Sequence, residues 1–248
     1  MTASDRLDTL PSPGVVCPLP IGSLVLLLLA ASVPAAAQSF DVPMRTATCD
    51  PASTPRYQTG SDLEAVCKRR TYRLPATDTL ALAATQYGDI EVEAWDSSAV
   101  AVEATIVTRK PTRSEAETAL SRVRLRRADG AIRAEGPADD APGWWSVGYR
   151  LRVPRQTTLD VTTYSGSIQV RGVAGGHRLM SDHGALRLHL PPGTGARLRA
   201  ETDYGTIDVG FPVTTQGAIT ERLDTVVGDG GPKLRLTTGS DITIKRDD

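Results

Sequence analysis

Aromatic side chains are scarce in this sequence, with two Phe, three Trp and six Tyr among 248 residues. A core must then rest mainly on Val, Leu and Ile, which suits thin stacked β-layers better than a bulky-cored sandwich. Cysteine is nearly missing, at three residues, and histidine occurs only at His177, His183 and His189. Lysine is confined to Lys68, Lys110, Lys233 and Lys245. The formal net charge is -1 and no run of like charge stands out, so neither a nucleic-acid partner nor an anionic membrane is implied. No apolar run reaches the ~20 residues that a comfortable membrane-spanning helix needs.

The most apolar stretch, Ile21 to Val33, runs into Pro34 and Ala35-Ala36-Ala37, the small-x-small pattern that signal peptidase accepts before Gln38. Residues 1–37 therefore read as a signal peptide for export from a bacterial cell, although the segment ahead of the apolar run, with Asp5, Arg6 and Asp8, is not basic. The competing reading, a retained anchor, calls for a longer run. Cys17 precedes the apolar run, whereas a lipid-attachment cysteine would follow it. Removing this segment leaves equal numbers of basic and acidic residues and two cysteines, Cys49 and Cys67. An even pair in an exported chain most simply forms a disulfide, and a metal site would need ligands that the histidine-free segment between them lacks.

Residues 38–71 include Pro43, Pro51 and Pro55 and are expected to form an irregular N-terminal extension, clipped by the disulfide and capping the fold. From residue 72 onward short segments alternate apolar and polar positions: Leu80, Leu82 and Ala84, then Ile90, Val92 and Ala94, then Val100, Val102, Ala104 and Ile106. Period-two spacing predicts strands. A single helix interrupts them, with Ser114 and Glu117 at capping-box spacing and Ala116, Ala119, Leu120 and Val123 on one side. Asp129-Gly130 predicts a tight hairpin turn, and residues 136–143 a loop.

Internal repeats organise the remainder. Tyr87-Gly88-Asp89-Ile90-Glu91-Val92 is matched by Ser165-Gly166-Ser167-Ile168-Gln169-Val170, by His183-Gly184-Ala185-Leu186-Arg187-Leu188 and by Tyr204-Gly205-Thr206-Ile207-Asp208-Val209. The expected structure is a glycine turn of positive φ followed by a strand whose alternate aliphatics enter a stacked core. Such units cannot bury their faces alone but can when stacked. The polar end Lys245-Arg246-Asp247-Asp248 would then discourage strand addition at a C-terminal edge.

These repeats, and above all Val227 to Ile242, resemble a family of exported bacterial adhesin-like proteins, a domain of unknown function built from threonine-x-x-glycine-x-isoleucine-x-valine strands. The resemblance covers about residues 72–246 and implies no catalytic residues. Two features depart from it: Gly239-Ser240-Asp241 carries an extra residue before its aliphatic, which predicts a bulged turn, and the cysteine-bracketed extension lies outside the pattern.

Candidate chemistry is thin. His177, His183 and His189 with Asp182 are expected to be solvent-facing turn residues, because alternation sends them to different faces and metal ligands must converge. Asp89, Asp203, Asp208, Asp229 and Asp241 sit near glycine turns without the paired glycines of a calcium-binding repeat. Neither Ser165-Gly166-Ser167 nor Gly143-Trp144-Trp145-Ser146 makes a nucleophile elbow, and Gly228-Asp229-Gly230-Gly231 lacks the lysine and helix of a phosphate loop. Trp144 and Trp145, joined by Tyr149, form the one candidate partner-binding feature, since adjacent residues of a strand face opposite ways and one ring must stand outside the core. Tyr87, Tyr164 and Tyr204 recur just before repeat glycines and are expected to form a ladder along one face.

The reading is an all-β, solenoid or β-helix-like stack of short strands with one short helix, spanning residues 72–248. Its expected role is that of a non-enzymatic adhesin-like protein of the periplasm or cell surface, with no cofactor or metal. The expected partner is an envelope component or a protein. The alternatives are a carbohydrate-binding module or envelope hydrolase, and an accessory protein of envelope-stress signalling.

Overall fold

The structure is a computed structural model that describes residues 43–50, 63–84, 87–128, 130–138, 142–214 and 220–247. The signal peptide expected over residues 1–37 lies outside the described residues, as does Asp129 of the hairpin turn. Among the described residues no helix is long and apolar enough to cross a membrane.

In chain order the elements are β1 (Arg45–Thr48), β2 (Glu64–Pro75), β3 (Thr79–Ala83), β4 (Ile90–Trp95), β5 (Ala99–Lys110), α1 (Arg113–Arg122), β6 (Arg124–Ala128), β7 (Ala131–Glu135), β8 (Trp144–Pro154) and β9 (Thr158–Thr163). There follow β10 (Ile168–Arg171), β11 (His177–Ser181), β12 (Leu186–Leu190), β13 (Ala196–Thr202), β14 (Ile207–Val209), β15 (Arg222–Val227), β16 (Lys233–Thr238) and β17 (Ile242–Arg246). The fold is mostly β, in two mixed sheets. The first has nine strands in the order β1-β2-β5-β8-β4-β10-β12-β17-β14, and the second eight in the order β15-β13-β16-β11-β9-β3-β7-β6.

Consecutive strand pairs contribute one strand to each sheet, and the two sheets keep the same neighbours. Across both, the rungs run β13/β14, β16/β17, β11/β12, β9/β10, β3/β4, β7/β8. This order corrects the expectation of a sequential stack. The last rung, β16/β17, is inserted between β11/β12 and β13/β14, so the polar C-terminal strand is interior and guards no edge. The detour that permits it is β15, which runs antiparallel beside β13 and returns through Gly228 and Gly230, at φ 57° and 80°, into β16. An L side chain is disfavoured at those angles, and glycine accepts them without steric cost.

Inward residues align rung by rung. In the first sheet Ile90, Ile168, Leu186, Ile242 and Ile207 share one row, and Val92, Val170, Leu188, Ile244 and Val209 the next. In the second, Leu80, Leu159, His177, Leu234 and Leu198 are in register. Most of these side chains join one hydrophobic cluster. Each fully buried aliphatic contributes about 1.5–3 kcal/mol, which offsets the scarcity of rings.

The described part of the segment expected to be irregular, residues 43–50 and 63–71, contains strands. β2 pairs antiparallel with β5 from Glu64 to Pro75, and β1 pairs with β2. A boundary drawn at residue 72 cuts β2 in two. The expected disulfide is present, joining Cys49 to Cys67 across a Cα separation of 5.3 Å. α1 begins two residues earlier than expected: Thr112 is the N-cap and forms the capping box with Glu115, whose carboxylate accepts from the Thr112 N–H at 3.0 Å. Its buried side is as expected, with Ala116, Ala119 and Leu120 packed inward. Arg70 of β2 donates to the carbonyl of Val123 at 2.6 Å, covering the C-terminal end of the helix.

Candidate interaction surface

Three of the turns that carry the chain from the second sheet to the first, those after β11, β13 and β16, are stapled by buried hydroxyls, while Thr163 Oγ1 at the end of β9 has no hydrogen-bond partner among the described residues. Thr163, Ser181, Thr238 and Thr202 stand in register at the ends of their strands. Ser181 Oγ donates to the carbonyl of Gly166 on the neighbouring rung and accepts from the N–H of its own Gly184, both at 2.9 Å. Thr238 Oγ1 likewise donates to Gly184 O at 2.6 Å, and Thr202 Oγ1 to Ser240 O at 2.6 Å while accepting from Gly205 N–H at 3.0 Å. Each such bond contributes roughly 0.5–1.5 kcal/mol net.

The repeat glycines follow from this packing: φ is positive at Gly88 and Gly166, as expected, but not at Gly184 and Gly205, and all four meet a further constraint. A Cβ on Gly166 would overlap the carbonyl of Gly88, and one on Gly184 the carbonyl of Gly166. The constraint is backbone approach between rungs. The turn at Gly239 is also not bulged: counted from the stapling hydroxyl it is one residue shorter than its neighbours, and Ser240 takes the glycine place, its N–H donating to Thr238 Oγ1 at 3.2 Å.

Rings gather along this turn edge. Trp144 opens β8 on the outward side, with its ring centroid 6.0 Å from that of Tyr87 and the Arg109 guanidinium 5.7 Å from the indole. Tyr164 meets His183 edge-on at 5.1 Å. Tyr204, 92% exposed, stands at the far rung. The expected tyrosine ladder is thus an edge shared by rings of three kinds, in which Tyr87 contacts Trp144 and Tyr164 contacts His183.

Trp145 and Tyr149 point the other way. Trp145 packs against the core and its indole N–H donates to Pro137 O at 3.0 Å, so the ring covers the loop after β7. Tyr149 is 3% exposed, and its register neighbours are Ile90 and Ala104. As a partner-binding residue it is corrected to a core residue, because odd positions of β8 face inward. Burial raises its phenol pKa, and the neighbouring Tyr72 adds to the rise.

The histidines do not share one setting. His177 is buried on β11 and is no turn residue, while His183 is exposed at its turn and His189 Nδ1 lies 3.5 Å from Asp247 on the outer face of the first sheet. Among the described residues no His, Cys, Asp and Glu side chains group as metal ligands. Two of the turn aspartates cross rungs: Asp89 accepts from Ser167 N–H at 2.8 Å, and Asp241 from Thr206 N–H at 2.9 Å. That backbone bond, with the Thr206 hydroxyl, holds the Asp241 carboxyl below its ordinary pKa. An open cleft of about 320 Å³ lies beside α1, lined by Lys110, Arg122, Pro137 and Glu115, the last already held in the capping box.

No protein-family model and no curated protein matches the chain. Solved structures similar to it include a "putative cell adhesion protein" from Clostridium sporogenes, at 10% identity and TM-score 0.49, covering 73% of this chain and 100% of that one. A "putative adhesin" from Parabacteroides merdae is similar at 9% identity and TM-score 0.26, covering 73% and 96%. Another from Bacteroides fragilis is similar at 8% identity and TM-score 0.24, covering 74% and 97%.

Proposed function

We propose that the protein is a non-enzymatic, extracytoplasmic adhesin-like module. In this reading the rung stack is a solenoid-like scaffold, and the ring-bearing turn edge is its contact surface toward an envelope component. The observation that carries the reading is the placement of Trp144, Tyr87, Tyr164 and Tyr204 along one edge of stapled rungs. Rings held on a rigid edge suit stacking on sugars and contacts with proteins, since they add contact area at little cost in conformational entropy. The Cys49–Cys67 disulfide supports a location outside the reducing cytoplasm.

The test is a pull-down of the protein against fractionated cell envelope and peptidoglycan, with Trp144→Ala and Trp145→Ala in parallel. Wild type is expected to be retained by one fraction and Trp144→Ala to lose that retention. Trp145→Ala is expected to lower stability instead, because its ring fills space against the core. Retention by no fraction, or retention unaffected by Trp144→Ala, would remove the turn edge as a contact surface.

A further inference from the structure

The two sheets treat surface charge in opposite ways. On the first sheet, register sets unlike charges opposite one another: Glu91 faces Arg150, Glu103 faces Arg150, and Glu93 lies between Arg152 and Arg171. On the second, β13, β16 and β11 do the reverse. Arg197 is opposite Lys233, Arg199 opposite Arg235, and Arg235 opposite Arg178, with all five side chains exposed. Like charges directly opposite in a sheet are destabilising. The arrangement therefore works against the fold at three oppositions in two neighbouring rows.

Neighbouring acids relieve only its ends. Arg178 is paired with Asp160 at 2.9 Å, and Arg199 with Glu201 at 2.8 Å. The side chains of Arg197, Lys233 and Arg235 make no hydrogen bond or ion pair among the described residues, and Glu201 acts on Arg235 only through space. The result is a cluster of cations in two rows, one of which, Arg199–Arg235–Arg178, crosses three strands at the strand spacing of about 4.8 Å.

We propose that this cluster binds a linear polysaccharide bearing carboxylate groups. The planar guanidinium forks match carboxylates bidentately, and the two outer arginines already engage carboxylates of the protein itself. No ring lies on these outward positions, so the base stacking that single-stranded nucleic acids use is missing. Asp160 and Asp224 end the cross-strand row, in register with Arg178 and Arg199, and Glu201 borders it, so a broad anionic surface would meet carboxylates as well as cations, whereas a narrow chain lying along β16, over Lys233 and Arg235, avoids them. This face is separate from the turn edge, and the inference goes beyond the role proposed for that edge.

The test is equilibrium binding of polygalacturonate to the full-length protein at low and high salt, with neutral dextran, a single-stranded oligonucleotide and phosphatidylglycerol vesicles as comparators. Saturable binding that weakens with salt is expected for polygalacturonate. Lys233→Glu with Arg235→Glu should weaken it about tenfold or more, while Arg171→Glu with Lys245→Glu, the same charge change on the first sheet, leaves it unchanged. Arg235→Gln provides a second readout, since it removes two like-charge oppositions and should raise the unfolding midpoint while lowering affinity. No saturable binding, equal losses in the first-sheet control, or equally tight binding of the oligonucleotide or vesicles would overturn the proposal.

Discussion

His177 occupies a place that leucine fills on the neighbouring strands, between Leu159 and Leu234 in the register of the second sheet. Burial holds its pKa below the ordinary 6.5, and the carbonyls of Val173 and Gly176 only partly oppose this. The folded chain therefore resists a proton that the unfolded chain accepts. Stability is complete while both forms are neutral, above about pH 6.5, and is lost as the pH falls from there toward the folded-state value. His177→Leu should match wild type at pH 7.5 to within about 1 kcal/mol, since it exchanges one hydrogen bond to Val173 for added apolar burial. It should then lose less stability than wild type on going to pH 5. Urea unfolding of both proteins at the two pH values checks this, and parallel losses would mean that the imidazole takes up protons equally in the folded and unfolded states.

At the scale of elements, much was legible. Glycine followed by aliphatics at alternate positions marked β4, β10, β12 and β14, because inward side chains of a strand recur with period two. β2 was missed because Pro43, Pro51 and Pro55 and the cysteine pair led residues 38–71 to be read together as irregular, and only the fold reveals that Arg70 serves the carbonyl end of α1. The helix was legible but its start was not, since Thr112/Glu115 and Ser114/Glu117 have the same spacing. The choice falls to Thr112 because β5 runs to Lys110, leaving Thr112 extended at φ -125°, ψ 152°, the backbone an N-cap requires. Thr112→Ala should therefore cost about 1 kcal/mol in urea unfolding, and Ser114→Ala, inside the first turn, close to nothing. Equal costs would move the cap. Of the candidate site, the alternation rule correctly set Trp144 and Trp145 on opposite faces, but Tyr149 follows Trp145 inward by the same rule.

At the scale of the molecule, the order of rungs and the basic row share one cause. Local patterns show that a segment is a strand and which side is apolar, but not which strand lies beside it. The cations of the row come from β11, β13 and β16, which are brought together only because β16 inserts between the other two. A near-zero net charge therefore concealed a local cluster. The same insertion makes β16 and β17 interior strands: among the described residues β13 pairs only with β15 and β16, and β14 only with β17. In a sequentially wound stack, removing the last rung trims one end and leaves the rest in place. Here, a chain ending at residue 228 should lose the attachment of β13, β14 and β15 together. Amide hydrogen exchange should then show residues 196–227 unprotected while β5, β8 and β10 keep their protection. Retained protection in β13 would mean that it can dock directly on β11, in which case the inserted rung would be an addition to a stack already able to close in chain order.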